Sequence, residues 1–226
     1  MPRRALEPTD ALRLLNGGPV ALVTTRFRDQ TGVMPAIWMT PISRTPPLIA
    51  LAVNPARHTH DMIRFSEEFA LNFPARDMLT HTHYFGAVSG HDVTKLDLAK
   101  LPTFRASRIE ASLIEGCIGW IECSIDDNYR IGDHTLFIGR VLVVQVEPDA
   151  FDGGWSLGDI DYRPLHYLGG DAYATLGQRL KGVLRTSDDG AIELGETDEE
   201  REKREEAEAL EREMREREGD EEWGGK

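Results

Sequence analysis

The chain has 226 residues, with 26 Lys and Arg against 39 Asp and Glu, a formal net charge of −13. Residues 196–226 alone hold 15 acidic and 7 basic side chains, so most of the acidity sits in a tail, and no partner role on nucleic acid is expected without a basic excess. The length suits one domain of moderate size, or one domain plus an appendage, and 2 cysteines are too few for a disulfide framework or a four-thiolate zinc site.

No apolar run nears the ~20 residues a membrane span needs, so no membrane partner is expected. Met1-Pro2-Arg3-Arg4 is basic but leads into no apolar stretch, so no secretory leader is expected and the cytoplasm is the default location. Thr9-Asp10 ahead of residues 11–15 and Asn16-Gly17-Gly18 reads as a short capped helix. Strands follow at 20–25, 34–39 and 48–53, each bounded by Gly, Pro, Asn or Asp, with Pro46-Pro47 at a strand start. Residues 59–67 predict a helix with Thr59 near its N-cap. A strand at 69–73 and a helix at 77–85, closed by Gly86, come next. Two long apolar runs, 113–125 and 134–147, are joined by the polar stretch 126–133. Both faces of these runs are partly apolar, which suits central strands of a closed barrel. Cys117 and Cys123 share strand parity in the first run and read as small buried residues of one face. Many short strands, a few small helices and no βαβ alternation point to a mainly β fold of barrel type.

From about Lys181 the composition changes, and residues 197–222 are nearly all charged. Glu199/Lys203, Glu200/Arg204 and Glu208/Arg212 are i,i+4 pairs with Glu first, the order that supports an exposed helix. No apolar a/d repeat accompanies them, so a coiled coil is not expected. The chain thus divides into a folded domain over 1–181 and a charged tail over 182–226, exposed and helical or disordered.

The phosphate-cradling Gly-x-x-x-x-Gly-Lys-Thr, the dinucleotide Gly-x-Gly-x-x-Gly and the Gly-x-Ser-x-Gly elbow are all missing from the sequence. His58-Thr59-His60 and His81-Thr82-His83 have a spacing that would suit a metal on a strand. Both fall in segments read as helical, where i,i+2 side chains diverge by roughly 200°. They read as surface or capping histidines, and no metal site is expected.

Five segments, in order, carry more. They are Pro35-Ala36-Ile37-Trp38-Met39-Thr40-Pro41-Ile42-Ser43; Arg57-His58-Thr59-His60-Asp61; Gly86-Ala87-Val88-Ser89-Gly90-His91-Asp92-Val93-Thr94-Lys95; Gly132-Asp133-His134-Thr135; and Leu165-His166-Tyr167-Leu168-Gly169-Gly170. Together, over about 17–179, they resemble the flavin reductase-like family with the FMN-binding split barrel. Departures are modest: Ala36 stands where many members carry Asn, and Tyr84 where Cys is often found.

The resemblance implies a Greek-key split β-barrel with a few short helices, FMN as cofactor, and a homodimer. It further implies an oxidoreductase taking hydride from NAD(P)H onto FMN and passing electrons to a small-molecule or protein acceptor. The alternative is a non-catalytic flavin- or haem-binding module that carries or stores electrons. The FMN-binding set implied is Ala36, Ile37, Trp38, Met39, Thr40, Ser43, Asn54, His58, Thr59, Ser89, Gly90 and Lys95, with His134, His166 and Tyr167 on the path of the second substrate. The residue types suit the ligand: a phosphate prefers a helix N-terminus with hydroxyl and cationic help, and Thr59, Ser89 and Lys95 supply these. A segment turning out of a strand at Trp38–Ser43 offers backbone N–H donors to a flavin ring edge, although Trp38 reads equally as core packing. No side chain is expected to act as a general acid or base, because hydride transfer is the cofactor's own chemistry.

Overall fold

The computed structural model of the chain describes residues 5–180, 184–186, 192–194 and 202–208. The chain divides into two compact units, Met1–Gly177 and Gln178–Lys226. The strands of the first are β1 (Ala21–Phe27), β2 (Gln30–Ala36), β3 (Met39–Arg44), β4 (Pro47–Val53), β5 (Glu68–Pro74), β6 (Thr103–Arg105), β7 (Ser112–Ile114), β8 (Cys117–Ile131), β9 (His134–Val146), β10 (Leu165–Gly169) and β11 (Ala172–Thr175). Its α-helices are α1 (Ala11–Leu14), α2 (His58–Ser66), α3 (Leu79–Ala87) and α4 (Lys95–Ala99). Seven strands build one antiparallel sheet in the order β2-β1-β5-β8-β9-β4-β3, while β6 pairs with β7 and β10 with β11.

The period of two along a strand decides where the core sits. In β1, Ala21 and Val23 face a cluster with Leu51, Ile63, Phe69, Leu71 and Phe137, to which α2 contributes Ile63. Leu22, between them, faces a second cluster with Met78, Phe85, Leu113, Ile114 and Trp120, to which α3 contributes Phe85. Both faces are therefore covered, and the mainly β expectation with a few short helices holds. The closed barrel does not: among the described residues no ladder joins the outer strands β2 and β3. They are consecutive in the chain yet lie at opposite ends of the sheet, because β2 pairs with β1 and β3 with β4.

That crossover also corrects the strand expected at 34–39. It breaks at Ile37-Trp38, where the chain leaves one hairpin for another. The polar stretch 126–133 is not a linker but the outer half of a long arm. Asp127 through Ile131 pair with Ile138 through His134, and the turn is only Gly132-Asp133, with Gly132 at φ +59°. Exposure of this arm explains its polarity. The run expected at 113–125 is cut at Glu115-Gly116 into β7 and β8. Helix α3 begins after a 3₁₀ turn, Arg76–Met78, and passes through Gly86, so Gly86 does not close it. The short helix α4 had no expectation.

Cys117 and Cys123 are both buried in β8, but not on one face. A bulge opposite Phe73 and Pro74 inserts Ile118 and reverses the alternation between them. Cys117 therefore joins the cluster under α3, and Cys123 the cluster under α2.

In the second unit, β12 (Leu184–Thr186) pairs antiparallel with β13 (Ile192–Leu194), and residues 202–208 are helical. The hairpin was not expected in a tail read as helical or disordered. Its signal in the sequence is Ser187-Asp188-Asp189-Gly190, residues of turn type, between Leu184-Arg185-Thr186 and Ile192-Glu193-Leu194. In the helix the Arg204 guanidinium lies 2.8 Å from Glu208, a pair with Arg first. The Glu-first pairs each have a member outside the described residues.

Candidate functional site

Where β2 crosses to β3, a cleft of about 410 Å³ opens, within the ~300–1,000 Å³ usual for small-molecule sites. The crossover contributes Ala36, Ile37 and Trp38, the end of β4 contributes Asn54, and α2 contributes His58 and Thr59. The loop after α3 contributes Ser89 and Gly90, α4 contributes Lys95, and β9 contributes His134. Of the other expected residues, Met39, Thr40 and Ser43 lie on β3, outside this lining, because the strand there turns away into its ladder with β4. Tyr167 lines a neighbouring cavity, and His166 lines neither.

The approach to α2 is built from its own backbone. Asn54 Oδ1 accepts from Ala56 N at 2.8 Å, and Asn54 O accepts from Arg57 N at 3.0 Å. This turn leaves Arg57, at φ −83° and ψ 132°, in the N-cap position with no side-chain cap. Thr59 is thus the second helical residue, not the cap, and it is buried. An uncapped helix start has N–H groups without intrahelical partners, the arrangement that anions exploit.

The loop over that helix start is held close. Ser89 Oγ accepts from His91 N at 3.2 Å. A Cβ on Gly90 would lie 2.9 Å from His58 Nδ1 and 3.2 Å from His58 Cβ, so any side chain there would push the loop and the His58 ring apart. The rings of His58 and His91 meet edge to face, 4.8 Å apart. Burial, and then the nearby His91 and Lys95, lower the His58 pKa below the ordinary histidine value.

Lys95 is buried. Its Nζ donates to Phe85 O at 2.7 Å and to Val33 O at 3.1 Å, leaving one of its three protons. Burial, helped by the Arg57 charge, lowers its pKa to about 8. At the other end the rings of Trp38 and His134 lie 4.7 Å apart, and His134 Nδ1 is 2.7 Å from Asp133 Oδ1. Trp38 is 41% exposed, so it is not a core residue.

Arg57 and Lys95 line the cleft, and among the described residues no carboxylate does. In a chain of net charge −13 that local sign is informative. Sequence reasoning missed Arg57, Ala52, Val53, Gly86 and Val88 as lining residues. Arg57 had a signal, since it directly precedes the helix-start run His58-Thr59. Gly86 and Val88 stood in the quoted segment that ends at Lys95, and Ala52 and Val53 lie at the end of β4 without a motif of their own.

His58-Thr59-His60 and His81-Thr82-His83 lie in α2 and α3, as read. His60 is neither a surface nor a capping histidine: it is buried and turned away from the cleft, its Nε2 2.9 Å from Thr135 Oγ1.

Residues 14–176 match the family model described as the flavin reductase like domain. The chain is 31% identical over 186 residues to the protein YddH of Escherichia coli, across 77% of this chain and 95% of that one. It is 25% identical over 150 residues to a flavin reductase of Pseudomonas putida, across 65% and 85%. Among solved structures, an FMN-binding protein from Thermus thermophilus superposes with a TM-score of 0.68 at 26% identity, across 79% of this chain and 97% of that one. With its mainly β fold and this match over most of its length, the chain belongs to the flavin reductase-like family.

Proposed function

We propose that this chain is an FMN-dependent oxidoreductase that takes reducing equivalents from NAD(P)H and hands them to a small-molecule or protein acceptor. The observation that carries the reading is the cleft itself: an uncapped helix start and two cations, with no carboxylate in the lining among the described residues. A dianionic phosphate fits that end, and a flat ring fits the crossover. The Thr59 and Ser89 hydroxyls, the α2 N–H groups and the remaining Lys95 proton would hold the phosphate. Gly90 allows the loop to approach, and Asn54 holds the turn that aims α2.

When bound, FMN supplies a ring that accepts hydride and releases electrons, so the chain needs no acid–base residue of its own. The protein's share is position and electrostatics. Backbone from Ala36 through Thr40, with Ser43 behind it, would hold the ring edge, and Trp38 with His134 shapes the mouth. His134, His166 and Tyr167 are assigned to the second substrate's approach. Residues 1–181 form the working domain in this reading, two copies pair as a homodimer, and the protein acts in the cytoplasm.

The test is the visible spectrum and NAD(P)H oxidation of the purified, FMN-supplemented protein. Bands at about 375 and 450 nm that bleach on adding NADH or NADPH are expected. Bound flavin that neither nicotinamide reduces would favour the electron-carrying module, and no bound flavin would remove both. Light scattering on the same sample reads the homodimer.

A further inference from the structure

Beside the cleft lies a second cavity of about 430 Å³. Pro35, Ile37, Arg57 and Gly86 bound both, so ligands in the two would be immediate neighbours. The dividing wall is tight: a Cβ on Gly86 would lie 3.2 Å from Pro35 Cγ.

The far side of this cavity is aromatic. Tyr167 and Tyr173 pack edge to face with centroids 5.3 Å apart, and Tyr173 meets His83 the same way at 6.1 Å. The tyrosine hydroxyls are turned to the protein. Tyr167 OH donates to Gly170 O at 3.1 Å, and Tyr173 OH is 3.5 Å from His83 Nδ1. Rings fixed in this way offer apolar surface at little entropic cost. Arg57 supplies the charge. Its guanidinium has no hydrogen-bond or ion-pair partner among the described residues, and no carboxylate lines the cavity. A guanidinium beside aromatic faces recognises a planar group carrying a carboxylate or phosphate.

We infer that this cavity is the second-substrate site and binds a planar aromatic ring bearing an anionic group. The ring lies against Tyr167 and Tyr173, and the anion on Arg57. The assignment as substrate site rests on the flavin reading above. Two sources share this chemistry: the adenosine phosphate half of NAD(P)H, or an aromatic acid that accepts electrons.

The experiment uses the full chain saturated with FMN, titrated calorimetrically with benzoate and with 5′-AMP, and with benzamide and adenosine as neutral partners. Binding of an anionic probe with FMN still in place is expected, weakened about tenfold or more by Arg57→Gln. The neutral probes should be indifferent to that change, while Tyr173→Leu weakens both kinds. Benzoate binding alone assigns an aromatic acceptor, and 5′-AMP binding alone assigns the nicotinamide donor. Failure of both probes to bind, displacement by FMN, or an affinity untouched by Arg57→Gln overturns the inference. A protein that binds either probe but no FMN would keep the ring-and-anion site and discard the flavin reading.

Discussion

His60 Nε2 and Thr135 Oγ1 lie 2.9 Å apart in a buried contact that ties α2 to β9. Each has a neighbour in the cleft lining, Thr59 on one side and His134 on the other. Replacing Thr135 by Val keeps the shape and leaves a buried ring nitrogen without its partner. A loss of about 1–3 kcal/mol in urea unfolding is expected, together with a severalfold weaker FMN affinity. Unchanged unfolding would mean that water replaces the hydroxyl.

Gly90→Ala should act on the ligand more than on the fold. The added methyl meets His58 Nδ1, Cβ and Cγ at 2.9 to 3.3 Å, so the ring and the loop must part. Fluorescence titration should give an FMN affinity roughly tenfold lower, about 1.4 kcal/mol, with melting shifted by only a few degrees. An affinity equal to the parent would show that the loop does not touch the ligand.

Lys95 gives a pH dependence with two signs. Its pKa is lowered by burial from 10.5 to about 8. Between those values the unfolded chain holds a proton that the folded one has lost, so this group's contribution to stability rises with pH over that window. A phosphate beside the ammonium has the opposite preference and holds the proton in place. FMN affinity is therefore greatest below about pH 8 and falls as the pH rises through it, while Lys95→Met binds weakly and without that slope. Dissociation constants measured from pH 7 to 9.5 decide; a flat profile removes Lys95 from the phosphate end.

The family match ends at residue 176 and the first compact unit at Gly177. A chain ending at Arg179 should retain FMN binding at parental affinity. A large loss would give the second unit a part in the site.

Much of this was legible because period-two apolar patterns and Gly/Pro punctuation are local. They located β1, β4, β5 and α2 to within about two residues, and the ordered segments pointed to the cleft. What stayed hidden depended on partners distant in sequence. Residues 127–131 look like a loop because they are polar, and only their pairing with β9 makes them a strand. The break at Ile37-Trp38 follows from β2 and β3 having different neighbours, which no local window contains. Lys95 reads as a cation offered to a phosphate, but its burial and its bonds to Phe85 O and Val33 O come from residues 10 and 62 positions away.

The bulge in β8 has a use at the bench. It sends the Cys117 and Cys123 thiols to opposite faces of the sheet, so they cannot close on each other while the strand is intact. Burial also raises both pKa values, that of Cys123 to about 12, so almost no thiolate exists near neutrality. Neither thiol can then relay electrons by disulfide exchange, and an alkylating reagent must wait for the sheet to open. The two labelling rates become clocks for opening on the two faces of β8, each read without disturbing the cleft.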